Sequence, residues 1–255
     1  MNVQQLYAFL NEKIPPALSC DWDNDGLMCC ANPQVEVKKV LIALDITAAV
    51  IDEAVQGGYD LIVSHHPLIF SPLRALHPGD PVAKKVITLL SAGITAMSFH
   101  TRLDAVEGGV NDVFANALGL RDVVPFGENG ETIGRIGTLP SPMTLDAFAH
   151  FVKEITGANG LQYSDAGREV CRVALLGGSG SSDVNAAAKA GADTYVTGEL
   201  KHNQLTDAPE RGMNLIAAGH FHTENAVCER IRELVLEAIP DATVIVTNSN
   251  PVKCI

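Results

Sequence analysis

Asp60-Leu-Ile-Val-Ser-His65-His66-Pro67 is the stretch that decides the fold. Leu61, Ile62 and Val63 are apolar at consecutive positions, so both faces of a strand built from them require cover. The run then breaks into histidines and a proline, which ends a strand and holds the preceding residue extended. Upstream, Val40-Leu-Ile-Ala-Leu44 reads as another buried strand. Between the two, Thr47 to Gln56 reads as a helix closed by Gly57-Gly58. Strand, helix and strand at this spacing make a parallel crossover unit.

The pattern continues outward. Asp80 and Pro81 provide a cap-then-proline helix start, and that helix runs to Ser91-Ala92 and stops at Gly93. Ile94 to Phe99 is a third strand, and Gly109 to Leu118 a helix with Gly119 just past its end. Before the first strand, Val3, Leu6, Tyr7 and Leu10 recur at helical spacing in a helix that must stop near Pro15-Pro16. A turn-rich stretch, Asp21 to Gly26, follows it. The composition shifts at Pro125-Phe-Gly-Glu-Asn-Gly130. Beyond it come Thr132–Leu139 as a strand, Leu145–Ile155 as a helix, and a second alternating series.

The second series parallels the first. Val40 to Asp45 matches Val173 to Gly178, and Glu53 to Ser64 matches Ala186 to Thr197. Ser91 to His100 matches Arg211 to His220, which aligns His100 with His220 and Asp104 with Glu224. His65-His66 then meets Gly198-Glu199. The expected fold is α/β: two lobes related by a degenerate internal repeat, with largely parallel or mixed sheets flanked by helices. Residues 1–126 form the first lobe, carrying His65, His66 and Asp104; residues 127–255 form the second, carrying His220 and Glu224. The C-terminal segment is free to pack back on the first lobe.

Three strand ends carry a metal-ligand pattern: His65-His66-Pro67, His100-Thr-Arg-Leu-Asp104 and His220-Phe-His222-Thr-Glu224. Ligands of open α/β sheets bind at the carboxyl ends of strands. Imidazole with carboxylate suits Zn, Mn, Fe, Co or Ni better than Mg or Ca. Adjacent strand residues face opposite sides, so His65 and His66 share a cluster only where the chain bends. Residues four apart share a helical face, so a helix starting near His220 brings His220 and Glu224 together; His100 and Asp104 stand at the same offset. These donors exceed what one zinc with an open position needs. Two divalent metals, roughly 3.5–4 Å apart and sharing a water or hydroxide, fit the number better. Metal-assisted hydrolysis, with a metal-bridging hydroxide as nucleophile, is the reaction class implied.

Other features carry alternatives. His77 and His150 read as ordinary hydrogen-bonded residues, and Asp104 has a second reading as a cap for the helix beyond Gly108. His100, His202 and His222 suit ligand orientation or proton transfer, with His100 and His222 the candidates for moving protons. Gly177-Gly-Ser-Gly-Ser-Ser182 is either a phosphate cradle or a tight turn. Trp22, the only tryptophan, either lines a pocket or packs.

Composition narrows the field. The chain has 255 residues, 47% hydrophobic and 19% charged, with 18 basic against 30 acidic residues and a formal charge of −12. That balance argues against nucleic-acid binding, which needs a basic face, but leaves a nucleotide substrate open because metal supplies local positive charge. Cys20, Cys29, Cys30, Cys171, Cys228 and Cys254 form no C-x-x-C pair and read as buried thiols of a reducing cytosol. Neither a signal peptide nor an apolar run of membrane-spanning length is expected, which makes a soluble, cytoplasmic protein the expectation.

Taken together, Asp21-Trp-Asp-Asn-Asp-Gly-Leu27, Ser64-His-His-Pro-Leu-Ile-Phe70, His100-Thr-Arg-Leu-Asp104 with Gly108-Gly-Val-Asn-Asp112, Gly177-Gly-Ser-Gly180, Thr197-Gly-Glu199 and Gly219-His220 with Thr223-Glu224 carry a family resemblance. The chain resembles the GTP cyclohydrolase 1 type 2 homologues, the YbgI-like dinuclear-metal proteins. The resemblance implies two divalent metals held by His65, His66, Asp104, His220 and Glu224. It further implies a two-domain α/β subunit, assembly into a toroidal homohexamer, and hydrolytic opening of the GTP imidazole ring. His222 stands where relatives usually carry a small residue, and the chain is short enough to lack the central domain of longer relatives. A metal-dependent hydrolase of a nucleotide or related small molecule is the leading expectation. The alternative is a non-enzymatic metal-binding adaptor or regulatory protein acting through an oligomeric surface.

Overall fold

Capping at both ends determines where the first helices lie. The computed structural model describes residues 1–128 and 132–253. Helix α1 (Val3–Lys13) starts at a capping box in which the Asn2 and Gln5 side chains each accept the other's backbone N–H. Strands β1 (Gly26–Cys29) and β2 (Lys39–Ala43) follow, then α2 (Ala48–Gly57). Thr47 caps α2, and Gly58 at φ 62° closes it. Strand β3 (Leu61–Ser64) leads through a long loop to α3 (Pro81–Ala92), capped by Asp80 and closed by Gly93 at φ 71°. Strand β4 (Thr95–Ser98) then runs into the short helix α4 (Thr101–Ala105).

The chain continues through α5 (Val110–Ala117), β5 (Arg121–Phe126), β6 (Gly134–Met143), α6 (Leu145–Thr156), β7 (Gln162–Ser164) and β8 (Val170–Leu176). Then come α7 (Val184–Lys189), β9 (Thr194–Thr197), α8 (His202–Arg211), β10 (Asn214–Ala217) and α9 (His220–Glu224). Helix α10 (Val227–Ala238) and strand β11 (Thr243–Val246) complete it.

Contacts divide the chain into two units. The first holds Met1–Val106 and Val227–Pro251; the second holds Glu107–Ala226 with the residues from Val252. This division falls earlier than the 126/127 boundary expected from composition, and the composition shift itself runs partly into residues 129–131, outside the described residues. The physical reason is pairing: β5 and β6 are antiparallel neighbours in the second unit's sheet, while β11 lies parallel to β2 in the first.

The first unit's sheet has the order β1-β4-β3-β2-β11, parallel except for the edge strand β1. Its apolar strands bury both faces. Leu41, Ile62 and Ala96 meet Val50, Ile51, Val86 and Leu89 of α2 and α3. The second unit's sheet has the order β5-β6-β8-β9-β10-β7, in which β8, β9 and β10 are parallel and the remainder antiparallel. Alternation sorts its two faces. Val173, Leu175, Val196 and Ile216 pack with Phe148 and Val152 of α6, while Ala174, Tyr195 and Leu215 pack with Ala187 and Ala208 on the other side. The strand triplets β2-β3-β4 and β8-β9-β10 share direction and order, as the sequence repeat implies. Both sheets are mixed, and the α/β fold class stands.

The cysteines fit this burial pattern at Cys29 and Cys228; Cys20, Cys30 and Cys171 are half-buried, and Cys254 lies outside the described residues. Burial pushes the Cys29 thiol from its ordinary 9.0 up to about 11, against a lowering hydrogen bond from the Ala96 backbone. The folded state therefore favours the protonated thiol. Its stabilising contribution is whole below pH 9.0 and is lost as pH rises toward 11. Thiol alkylation mapped by mass spectrometry near pH 8.5 should leave Cys29 unmodified in the native protein and label it in urea. Equal labelling in both states would contradict its burial.

Candidate functional site

At the end of β3 the backbone bends where two adjacent histidines need to share a side. The Ser64 hydroxyl donates to the His66 carbonyl at 2.7 Å and lies 2.9 Å from the Ser98 hydroxyl, folding the chain just past the strand. The His65 and His66 rings consequently sit with centroids 4.9 Å apart. His65 is fully buried, with Nδ1 2.9 Å from the Phe99 carbonyl. A carbonyl only accepts, so Nδ1 carries a proton and Nε2 is the ring nitrogen turned toward α4. His66 is held likewise, with Nδ1 2.8 Å from Asp45 Oδ1. His65 Nε2 lies 3.6 Å from Asp104 Oδ1 on α4.

Helix α4 is seated by two aspartates from the turn before β1. Asp23 Oδ2 accepts from the Thr101 N–H at 3.0 Å and the Thr101 hydroxyl at 2.7 Å, and Asp25 Oδ2 accepts from the His100 N–H at 3.2 Å. These are the orphan donors of a helix start, here satisfied by distant residues. The other Asp23 oxygen lies 2.8 Å from His100 Nδ1. Burial alone raises the Asp23 carboxyl, but hydrogen bonds from His100 and Thr101 and the His100 charge outweigh it and hold the group well below the ordinary carboxylate range. Arg102, 1% exposed, donates through Nε to Asp25 at 3.0 Å and through Nη1 to Asn11 at 2.7 Å and the Ile14 carbonyl at 3.1 Å. Its guanidinium also lies over the Phe99 ring, 4.6 Å from the centroid. One buried cation thus ties α1, the Asp23–Asp25 turn and α4 together.

This seating brings His100 beside the strand-end pair. Its ring centroid is 5.4 Å from that of His65 and 5.7 Å from that of His66. One nitrogen from each of the three rings falls within a group whose atoms are all within 4.8 Å of one another, a geometry able to hold a metal ion.

The second unit has a smaller set of the same kind. Gly219, at φ 88°, turns β10 into α9, so His220 opens the helix and Glu224 ends it. The four-residue offset brings His220 Nε2 to 3.2 Å from the buried Glu224 Oε2. His220 Nδ1 lies 3.1 Å from Glu199 Oε1, just past β9. Glu199 occupies the repeat position of His66, so in each copy that position reaches the chain that follows the third strand.

The glycine run after β8 is a tight turn. Its N–H groups donate inward, Gly177 to Asn111 Oδ1 at 2.8 Å, Gly178 to Thr223 Oγ1 at 3.0 Å and Gly180 to Thr197 Oγ1 at 3.0 Å. The phosphate-cradle alternative fails on this use of its donors. Space explains the glycines: a Cβ at Gly178, itself at φ 63°, would lie 2.1 Å from Glu224 Oε1, and one at Gly180 2.3 Å from the Tyr195 hydroxyl. The turn lets the Glu224 carboxylate pass.

Other histidines stand apart from these sets. His77 accepts from the Gly79 N–H in an exposed loop, and the exposed His150 bonds the Asp146 carbonyl. His202 begins α8 on the surface. His222, two residues from His220 on α9, lies edge-on to Phe221 and is not among the clustered donors of the described residues. Sequence reading gave Asp23, Asp25, Asp45 and Arg102 no role. The signal available was the acidic density of Asp21-Trp-Asp-Asn-Asp25 beside only one glycine.

An α/β protein with histidine and carboxylate groups able to hold a metal ion is the class that fold and side chains define. The chain belongs to the Duf34/NIF3 (NGG1p interacting factor 3) family, whose model matches residues 1–251. A Nostoc protein named GTP cyclohydrolase 1 type 2 homolog is 37% identical over 203 residues, covering 78% of this chain and 77% of its own. A Schizosaccharomyces pombe protein named Protein NIF3 homolog is 34% identical over 253 residues, covering 91% and 90%. Among solved structures, a hypothetical protein of Staphylococcus aureus superposes with a TM-score of 0.90 at 26% identity, over 100% of this chain and 99% of its own.

Replacing Arg102 by alanine leaves the buried Asp25 charge uncompensated. Urea denaturation should show a loss of about 3–5 kcal/mol, the scale for breaking a buried ion pair from one side. A change below about 1 kcal/mol, the scale of an exposed pair, would refute the anchoring role.

Proposed function

We propose that the chain binds two divalent cations through His65, His66, Asp104, His220 and Glu224 and hydrolyses a nucleotide or related small molecule. The observation that carries this reading is the state of the rings. His65, His66 and His220 each engage an oxygen through Nδ1, at 2.9, 2.8 and 3.1 Å. Metal-bound histidines have this second partner almost without exception, because it fixes the tautomer and aims the free nitrogen. Two buried carboxylates, Asp104 and Glu224, lie 3.6 and 3.2 Å from the opposite nitrogens of His65 and His220, the donor chemistry a borderline-soft cation prefers.

Divalent cations bound there would supply hydroxide near neutral pH and polarise the bond under attack. The protein's own part is to orient and to move protons. Phe99, Asp45 and Glu199 orient the rings; His100, backed by Asp23, is the first candidate for carrying a proton at Nε2, and His222 the second. The relatives' name supports GTP as the first substrate to try, with opening of its imidazole ring. The family resemblance supports a homohexamer, which light scattering would read as six copies of the chain; a monomer would reject it.

No helix among the described residues is long and apolar enough to cross a membrane. Elemental analysis of protein purified without chelator should find about two divalent ions per chain and a clear loss in the His65→Ala, Glu224→Ala double variant. Loaded protein incubated with GTP should yield a product heavier by one water. No metal even after reconstitution would overturn the proposal. Full metal occupancy with no turnover of any nucleotide would leave the non-enzymatic metal-binding reading in its place.

A further inference from the structure

Trp22 and Phe70 are large aromatic side chains left in solvent, 59% and 54% exposed. They are neighbours, with ring centroids 6.3 Å apart. Each also meets His100 edge-on at 6.2 Å, so three rings form one continuous surface running into the histidine cluster. The two loops that carry them are tied together, because the Asn24 side-chain amide donates to the Ile69 carbonyl. Tyr163, also strongly exposed, uses its hydroxyl on Asp146 in the second unit. Exposing two such rings side by side forgoes the stabilisation their burial would bring, and a contiguous exposed apolar patch marks a binding site more often than chance.

We infer that the Trp22–Phe70 surface is a stacking platform for a planar heteroaromatic ring, and that the substrate class at this site is a ring-bearing small molecule such as a purine nucleotide. This inference rests on the hydrolase reading for the word substrate, but ring binding stands independently of catalysis. The geometry favours stacking onto the platform over clamping. Trp22 and Phe70 already touch, tilted 59° to one another, so no slot separates them. The solvent-exposed part of these rings is what remains for a ligand, and offset stacking needs only one face. A ring laid there lies beside His100, whose Nδ1 is held by Asp23 and whose ring contacts His65 and His66. Bases stack on aromatic side chains without needing a hydrogen-bond code, so the platform selects for a π-face before it selects among bases. The metal-donor set, by contrast, recognises charge and oxygen, and would accept a sugar phosphate as readily as a nucleotide.

Trp22 is the single tryptophan, so its fluorescence reports on this surface alone. The full-length protein is titrated with GMP, CMP and ribose 5-phosphate, both chelator-treated and reloaded with zinc. GMP should quench Trp22 saturably in both states, CMP more weakly, and ribose 5-phosphate not at all. Phe70→Leu should weaken GMP roughly 2- to 10-fold by the same readout. Trp22→Leu, followed by equilibrium dialysis, should weaken it roughly 5- to 100-fold, whereas Tyr163→Leu should match wild type. Both substituted side chains are exposed, and unchanged circular dichroism confirms folding. Equal behaviour of GMP and ribose 5-phosphate, or wild-type affinity in both variants, overturns the platform. Metal-free quenching by GMP in a protein that never takes up metal would sink the hydrolase reading and leave the platform intact.

Discussion

A buried guanidinium with a satisfied set of partners underlies the first unit's chemistry. Arg102 is enclosed to 1% exposure, and such a charge is tolerable only when its donors find acceptors. Asp25, Asn11 and the Ile14 carbonyl are those acceptors, drawn from the turn before β1 and from the end of α1. Once they converge, the start of α4 has no freedom left: its leading N–H groups fall on Asp23 and Asp25. His100 and Asp104 then stand at the helix's two ends, and the rings of His65 and His66 meet a prepared neighbour.

The same economy of partners runs through the histidines. A neutral imidazole has one donor and one acceptor nitrogen, and the acceptor must be chosen by something. At His65 the choice is made by a main-chain carbonyl, which cannot reverse its role. At His66 and His220 it is made by carboxylates, whose oxygens accept from Nδ1. Donor sets in the two units are therefore alike in logic while differing in composition, as expected of a repeat whose copies have diverged.

How much of this was legible depended on how local the cause was. The ends of α2 and α3 could be read because Thr47, Asp80-Pro81, Gly58 and Gly93 act within a turn of themselves. The meeting of His220 with Glu224 was legible for the same reason, since helical geometry converts a spacing into a contact. Beyond the turn that ends at Gly26, strand β1 was not legible, because its strand character is conferred by pairing with β4, 70-odd positions on, as in Gly26↔Ser98. Asp23 and Asp25 bond residues 75 or more positions away, a distance at which no periodicity speaks. The glycines after β8 were ambiguous because a glycine that makes room for a carboxylate and one that cradles an anion look identical in sequence. Only the positions of Glu224 and Thr223 separate them.

Strand β11 carries a consequence for the order in which this chain acquires its structure. The second unit is drawn from an almost unbroken run, Glu107–Ala226, whereas the first closes only with Val227–Pro251. During synthesis the later-starting body is complete in sequence while the earlier one still lacks its last strand. Until Thr243–Val246 leaves the ribosome, β2 is an open sheet edge made of Val40, Leu41 and Ile42, each fully buried in the finished protein. An apolar edge with unpaired main-chain groups is a template for the wrong partner. The nascent chain thus passes through a window of adhesiveness that closes only when Thr243–Val246 pairs with β2, and a chain cut short before that strand would keep the edge uncovered.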